Sequence, residues 1–373
     1  MEENLNTPEN DGATEKNFFT VTKRVLSYIF IDGLSGMATG LFATLIIGTI
    51  ICQIGSFFHN AFGYYLSCIG TFAKVLMGAG IGIGMAYKLK KTPLVSVSAG
   101  VAGMIGAFAS KIIARSVFNE TMSVTTLVAV GEPLGAFIAA FVALEVGSLV
   151  SGKTKIDIIL TPLVSIFSGA LIGLIAGPPI SKFMTAIGNV INTSANQQPV
   201  LMGILVAVLM GIALTLPISS AAIGVSLGLG GIAAGSAVIG CCCHMVGFAV
   251  MSFRENKWGG LIAQGLGTSM LQMPNLVKHP LCWLPPIIAS AALGPIGAVI
   301  GFSSNPVGSG MGTSGLVGVI TSFNVMAETV GTGKSILLVV LFCIVLPAAT
   351  VLLVSELFRK FNLIKKDDLK LNL

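Results

Sequence analysis

Two long apolar runs, residues 283–299 and 336–357, flank an eighteen-letter segment of a different character, GFSSNPVGSGMGTSGLVG (residues 301–318). Runs of that kind belong in a bilayer. The segment between them is rich in what a membrane helix avoids. Gly301, Gly308, Gly310, Gly312, Gly315 and Gly318 remove side chains, and Pro306 removes a backbone donor. Asn305, Ser309, Thr313 and Ser314 add polar groups at close range. In hydrocarbon, irregular backbone survives only when it is buried in protein or lines a wet cavity. The pattern predicts a broken or re-entrant element at a solute site, the alternative being a loop outside the membrane.

Composition agrees with the membrane reading. Mean hydropathy is +0.92, apolar residues make up 54% and charged residues 10%, against about 25% charged in a soluble domain. At ~20 residues per span plus short loops, the 373 residues hold roughly ten spans. The expected fold is therefore an all-α polytopic membrane protein. The net charge of +6 comes from short basic clusters beside apolar runs, which fits the positive-inside bias and excludes a nucleic-acid partner. The seven cysteines form neither a disulfide framework nor a zinc spacing. Consecutive Cys241, Cys242 and Cys243 read as small apolar helix residues, and no metal or cofactor is implied.

Along the chain, residues 1–16 are polar and acidic and read as a disordered cytoplasmic tail. Residues 17–30 place apolar side chains at helical spacing among Lys23 and Arg24, an amphipathic interfacial helix. Spans are expected at 31–54, 65–87, 94–113, from about 125 through GEPLGAF (131–137), and 158–175, which ends at Gly177-Pro178-Pro179. Basic clusters at Lys88–Lys91 and Lys153–Lys155 place those loops in the cytoplasm. The second half spans at 201–216, 236–253, 283–299 and 336–357, with a polar, glycine-rich PISSAAIGVSLGLGGIAAG (217–235) and a short apolar 261–273 that reads as re-entrant. Residues 359–373 form a basic cytoplasmic tail.

A weak internal duplication sits on this map. Leu76, Gly80, Gly82 and Met85 match Leu261, Gly265, Gly267 and Met270, and Glu132-Pro-Leu-Gly135 matches Asn305-Pro-Val-Gly308, in the same order. The charge map runs the two copies in opposite directions, so residues 31–190 and 199–358 read as inverted transmembrane repeats with a site at their interface.

Ionisable groups at membrane depth need a reason. Glu132, between Gly131 and Pro133, can point a carboxylate into a cavity, to accept solute hydroxyls or a proton; the plain alternative is a wet interfacial position. Glu145, in a smooth helix, reads as a structural hydrogen bond or a group near the cytoplasmic surface. His244 is the one histidine inside an apolar run, a candidate for proton coupling or a packed helix histidine. Ser219 and Ser220 offer donors at a helix start, or cap it. Gln272 puts an amide on the short 261–273 segment. Arg254 and Glu255 read as a surface pair or a gate. No phosphate loop is present, which argues against ATP-driven pumping.

The blocks LMGAGIGIGMAYKLK, SGKTKIDIILTPLVSIFSGALIGLIAGPPI, GIALTLPISSAAIGVSLGLGGIAAG, MVGFAVMSFRENKWGGLIAQGLGTSMLQMPN and NPVGSGMGTSGLVG resemble a bacterial family, the phosphotransferase-system sugar permease subunit IIC, type two. The resemblance runs from about Val25 to the C-terminus. It implies a homodimer in the cell membrane that holds a sugar in re-entrant hairpins with a glutamate-containing loop, which carries over onto Glu132. GEPLG departs from the wider superfamily's Gly-x-x-Glu-Pro context. No segment here suits a phosphocarrier domain, so phosphorylation would need separate cytoplasmic subunits.

The expectation is a permease for a small polar solute, by resemblance a carbohydrate, with Glu132, Ser219, Ser220, Gln272, Asn305, Ser309 and Thr313 as contacts and both termini in the cytoplasm. The alternatives are a phosphorylation-independent, proton-coupled carrier using Glu132 or His244, and a non-transporting membrane sensor or scaffold.

Overall fold

The structure is a computed structural model that describes residues 24–116, 131–195 and 197–371. The acidic tail, the first part of the interfacial helix and the expected start of the fourth span near residue 125 lie outside the described residues.

The first half opens with α1, Arg24–Ser56, continuous through the remainder of the expected interfacial segment. Its ladder widens into π turns at Tyr28–Gly33 and Phe42–Ile46. Such bulges leave carbonyls imperfectly paired and concentrate at functional sites. Helices α2, Ala61–Val75, and α3, Met77–Lys88, meet at a bend of 56°, where the sequence suggests one straight span. Leu76 leaves the helical region there, at φ −74° and ψ 8°. The glycines at 78, 80, 82 and 84 lower the helix propensity that would resist such a break. Helix α4, Pro93–Ala107, starts with proline in its first turn, where the missing N–H costs nothing. Phe108 breaks it from α5, Ala109–Ile113.

Helix α6, Pro133–Val150, begins two residues into GEPLG, so Gly131 and Glu132 precede the helix instead of lying within a span. Helix α7, Asp157–Ala195, runs for 39 residues and carries Pro162, Pro178 and Pro179 inside it. The sequence ends this span at Gly177-Pro178-Pro179; the structure continues the helix through them. At 1.5 Å per residue it is about 58 Å long, well beyond a ~30 Å hydrocarbon core.

The second half contains α8, Pro199–Thr215, the short α9, Ser220–Ser226, and α10, Gly231–Met251, which is buried along most of its length. Helix α11, Phe253–Ile262, leads through a π turn and a 3-10 turn into α12, Met273–Lys278. Helix α13, Leu284–Ile300, ends at Gly301. After α14, Pro306–Ser309, the chain turns through Gly312 and Gly315, both at positive φ, into α15, Val317–Val330, and α16, Thr332–Lys360.

Among the described residues six helices are long and apolar enough to cross a membrane, or seven if the bent α2–α3 pair counts as one span; α4, α8 and residues 314–330 are shorter apolar helices. Helices α4, α6 and α7 pack together in the first half, and α8, α10 and α13 in the second. Lipid is as apolar as the helices, so close backbone packing must hold them. At Gly106 and Gly135 each helix touches the other's backbone carbonyl where a Cβ would stand. That contact brings α6 against α4 and sets where the segment before α6 emerges.

Arg254 and Glu255 do not pair with each other. Arg254 bonds Glu356 at 2.9 Å and Arg359 bonds Glu255 at 2.9 Å, tying the start of α11 to α16.

Candidate solute site between the two halves

Glu132 is the N-cap residue of α6, in extended backbone at φ −86° and ψ 117°. Its N–H donates to the Ala107 carbonyl at 2.8 Å, which fastens GEPLG to the end of α4. Its side chain makes no capping bond, and Pro133 has no N–H to offer. The carboxylate therefore turns away from its own helix. It accepts a hydrogen bond from the Ser219 backbone N–H, and the Lys111 ammonium attracts it. The other oxygen, Oε2, is buried with no hydrogen-bond partner. An unsatisfied carboxylate oxygen in that setting is costly unless a ligand or water completes it.

A cavity of about 410 Å³ opens at this carboxylate. Its polar lining is Glu132, Lys111, Ser110, Ser181, Thr185 and Asn189; α9 contributes Ile223, and Leu227 follows just after that helix. The break at Phe108 positions Ser110, whose hydroxyl donates to the Gly177 carbonyl at 3.2 Å and anchors α5 on the proline region of α7. The volume falls in the range of small-molecule sites.

The PISS segment (217–220) lies against the Glu132 carboxylate. Ser219 reaches Glu132 through its backbone, while the Ser220 hydroxyl donates to the Gly310 carbonyl at 2.7 Å. GEPLG and NPVGSG therefore meet across Ser219–Ser220. Asn305 and Glu132 share a local form, each an extended N-cap before a proline in the first turn. Unlike Glu132, Asn305 spends its Oδ1 on its own cap, accepting from the Gly308 N–H at 2.9 Å.

The remaining predicted contacts lie in the frame around this segment. Ser309 is fully buried, its hydroxyl on the Pro306 carbonyl at 2.9 Å. Thr313 donates to the Met245 sulfur at 3.6 Å. Gln272 lies elsewhere. Its amide donates to Gln264 Oε1 at 2.9 Å and to the Leu369 carbonyl at 3.0 Å, while its oxygen accepts from Asn275 at 2.8 Å. It clasps the C-terminal segment, and its buried amide is spent on protein. His244 is also buried. Its Nδ1 meets Thr215 Oγ1 at 3.0 Å, Thr215 meets Ser269 at 2.8 Å, and Nε2 has no partner. It does not line the cavity at Glu132.

Sequence reasoning missed Lys111, Asn189, Ser181 and Thr185. Lys111 carried a usable signal, an ionisable residue inside an expected span. The three on α7 did not, because the predicted end of that span at Pro179 placed them outside it.

A helical, multi-pass membrane protein with a cavity among its helices, lined in part by polar side chains, is built as a permease. The chain belongs to the phosphotransferase system EIIC family, whose sequence profile matches residues 31–371. It is a membrane permease component of a sugar phosphotransferase system. Comparison with curated proteins finds no match.

Proposed function

We propose that the cavity at Glu132 holds the sugar, and that the Glu132 carboxylate accepts hydrogen bonds from its hydroxyls. The carrying observation is that Glu132 lines a 410 Å³ cavity and keeps its buried Oε2 without a hydrogen-bond partner. Lys111 balances the charge, so the pair suits a neutral polyhydroxylated solute. Asn189, Ser181 and Thr185 supply neutral donors and acceptors on α7, and Ser219 holds the carboxylate through its backbone N–H. Asn305, Ser220, Ser309 and Thr313 act by holding the PISS segment.

In this reading ten membrane-embedded elements form two inverted repeats, 31–190 and 199–358. The parallel N-caps at Glu132 and Asn305 support it, although α6 continues for 18 residues and α14 for 4. The protein works as a homodimer in a bacterial cell membrane with both termini cytoplasmic, and separate subunits phosphorylate the sugar. Alternating access follows if the Ser219–Ser220 segment parts from Glu132.

The test is uptake of labelled sugars into proteoliposomes, with and without cytoplasmic phosphotransfer proteins. A hydrogen bond to a charged group contributes about 1.5–3 kcal/mol, so Glu132→Gln should weaken sugar binding by about ten- to a hundredfold. Unchanged binding and uptake in Glu132→Gln would refute the site, and a protein that moves no sugar under either condition would refute the transport reading.

A second reading rests on the same oxygen, which can also take a proton. Proton-coupled uptake would follow an imposed pH gradient without phosphoenolpyruvate and be lost in Glu132→Gln.

A further inference from the structure

A second cavity, of about 420 Å³, is lined by Ile218, Ser219 and Ser220 of the PISS segment. The π turn Phe42–Ile46 of α1, the end of α2, Pro133 and the turn after α14 enclose it. Its walls are mostly apolar, with Leu41, Leu45, Leu214 and Ile218 among them. Among the described residues, one ionisable side chain lines it: Lys74.

Lys74 sits on α2 just before the break at Leu76. The 12 residues of α3, about 18 Å of helix, separate that break from the basic Lys88–Lys91 cluster. At such a distance from the membrane edge an ammonium group is expensive and calls for a partner. Yet none of the ion pairs among the described residues includes Lys74. The fold makes room for its stem nonetheless. A Cβ on Gly48 of α1 would stand 2.9 Å from Lys74 Cγ and 2.6 Å from the Gly70 carbonyl. The glycine lets α1 and α2 close around the lysine stem.

The hydroxyls around the cavity divide into spent and open donors. Thr49 donates to the Leu45 carbonyl at 2.7 Å, and Ser220 to Gly310 at 2.7 Å. Ser314 is 2% exposed and its Oγ has no hydrogen-bond partner. Thr268 Oγ1 accepts from the Met270 N–H at 3.1 Å, which leaves its own proton to donate. The open groups are therefore an ammonium and two hydroxyl donors, and no carboxylate among the described residues lines the cavity. The first cavity balances Glu132 against Lys111. Among the described residues, this one carries a positive charge without a counter-charge in its lining.

We propose that the second cavity binds the phosphoryl group of an anionic ligand, seated on Lys74, Ser314 and Thr268. The same chemistry is offered by a phosphorylated sugar and by an acidic lipid headgroup entering from the bilayer. The sugar-phosphate source rests on the permease reading; the anion chemistry rests on Lys74 and the open hydroxyls alone.

The experiment uses the full chain in an uncharged detergent and in vesicles of phosphatidylcholine, with or without phosphatidylglycerol. The readout is the rate at which reductive methylation modifies Lys74, followed by mass spectrometry. Inorganic phosphate or a hexose 6-phosphate should slow labelling of Lys74, whereas the unphosphorylated hexose should not. Lys74→Met should weaken hexose 6-phosphate binding by about tenfold or more, the loss of one charge-assisted contact. Ser314→Ala should weaken it less. Binding of the neutral hexose should survive in Lys74→Met and fall in Glu132→Gln, so the two cavities fail or stand separately. Protection by phosphatidylglycerol vesicles alone assigns the lipid source. Equal labelling of Lys74 under every condition overturns the proposal, and because that readout uses the wild-type chain it decides even where Lys74→Met does not fold.

Discussion

Glu132 and Glu145 stand at opposite ends of one helix and have opposite surroundings. Glu145 is met by Lys91 at 2.8 Å and by the Tyr28 hydroxyl at 2.8 Å, which satisfies it within the protein. Glu132 receives one backbone N–H and keeps one buried oxygen open. Residue type alone does not separate them; what faces each carboxylate does. The position of Glu132 depends in turn on Gly135, packed on the Gly106 carbonyl. Gly135→Val should push α6 from α4 and destabilise the protein by about 1–3 kcal/mol or more, with loss of sugar binding. Thermal unfolding in detergent measures the first effect and a titration the second. A normal melting temperature would show that this contact does not position the site.

At the scale of elements, two departures from the simplest hydropathy reading matter. The bend between α2 and α3 brings the end of α2 to the second cavity, and the unbroken α7 extends past Pro179 to bring Asn189 to the first. Hydropathy reports that a segment prefers lipid, but it is silent on where a helix bends or continues. A third element, the C-terminal segment read as a basic cytoplasmic tail, is clasped against the helices. Asn256, Gln272 and Asn275 bond backbone atoms of Leu369, Lys370 and Leu371. Arg359 ties α16 to α11 through Glu255 and also donates to the Met251 carbonyl at 3.0 Å. Their side chains are only 12% and 2% exposed. Removing one partner of such a pair leaves the other charge stranded, so Arg359→Met should cost about 3–5 kcal/mol. The measurement is a melting curve beside Arg254→Met, whose pair with Glu356 is exposed and contributes at most about 1 kcal/mol. Equal losses in the two variants would contradict the argument.

For the whole molecule, the PISS segment is the shared boundary. Ser219 bonds Glu132 of the first cavity, Ile218, Ser219 and Ser220 line the second beside Lys74, and Ser220 bonds Gly310 of NPVGSG. A segment held by the Ser219–Glu132 and Ser220–Gly310 hydrogen bonds can move without unpacking the glycine-rich contacts within each half. The proposed homodimer has a direct check. Light scattering on the detergent-solubilised protein should give a protein mass of twice 38.4 kDa, and a monomer mass under conditions that preserve sugar binding would remove dimerisation from the mechanism.

The residues by themselves determined that the chain is helical and embedded in lipid, because a backbone without water must satisfy itself locally and the apolar runs leave little other choice. They also marked the segment 301–318 as irregular, since its glycines and proline resist a regular membrane helix. Motif resemblance reached the family. Only the tertiary structure decided which polar groups share a cavity. Glu132, Lys111 and Asn189 are separated in the chain, and their meeting depends on a glycine contact, the helix break at Phe108 and a proline pair that did not end its helix. It also moved Gln272 from solute contact to tail clasp, because a buried amide serves whichever partner the packing brings within reach.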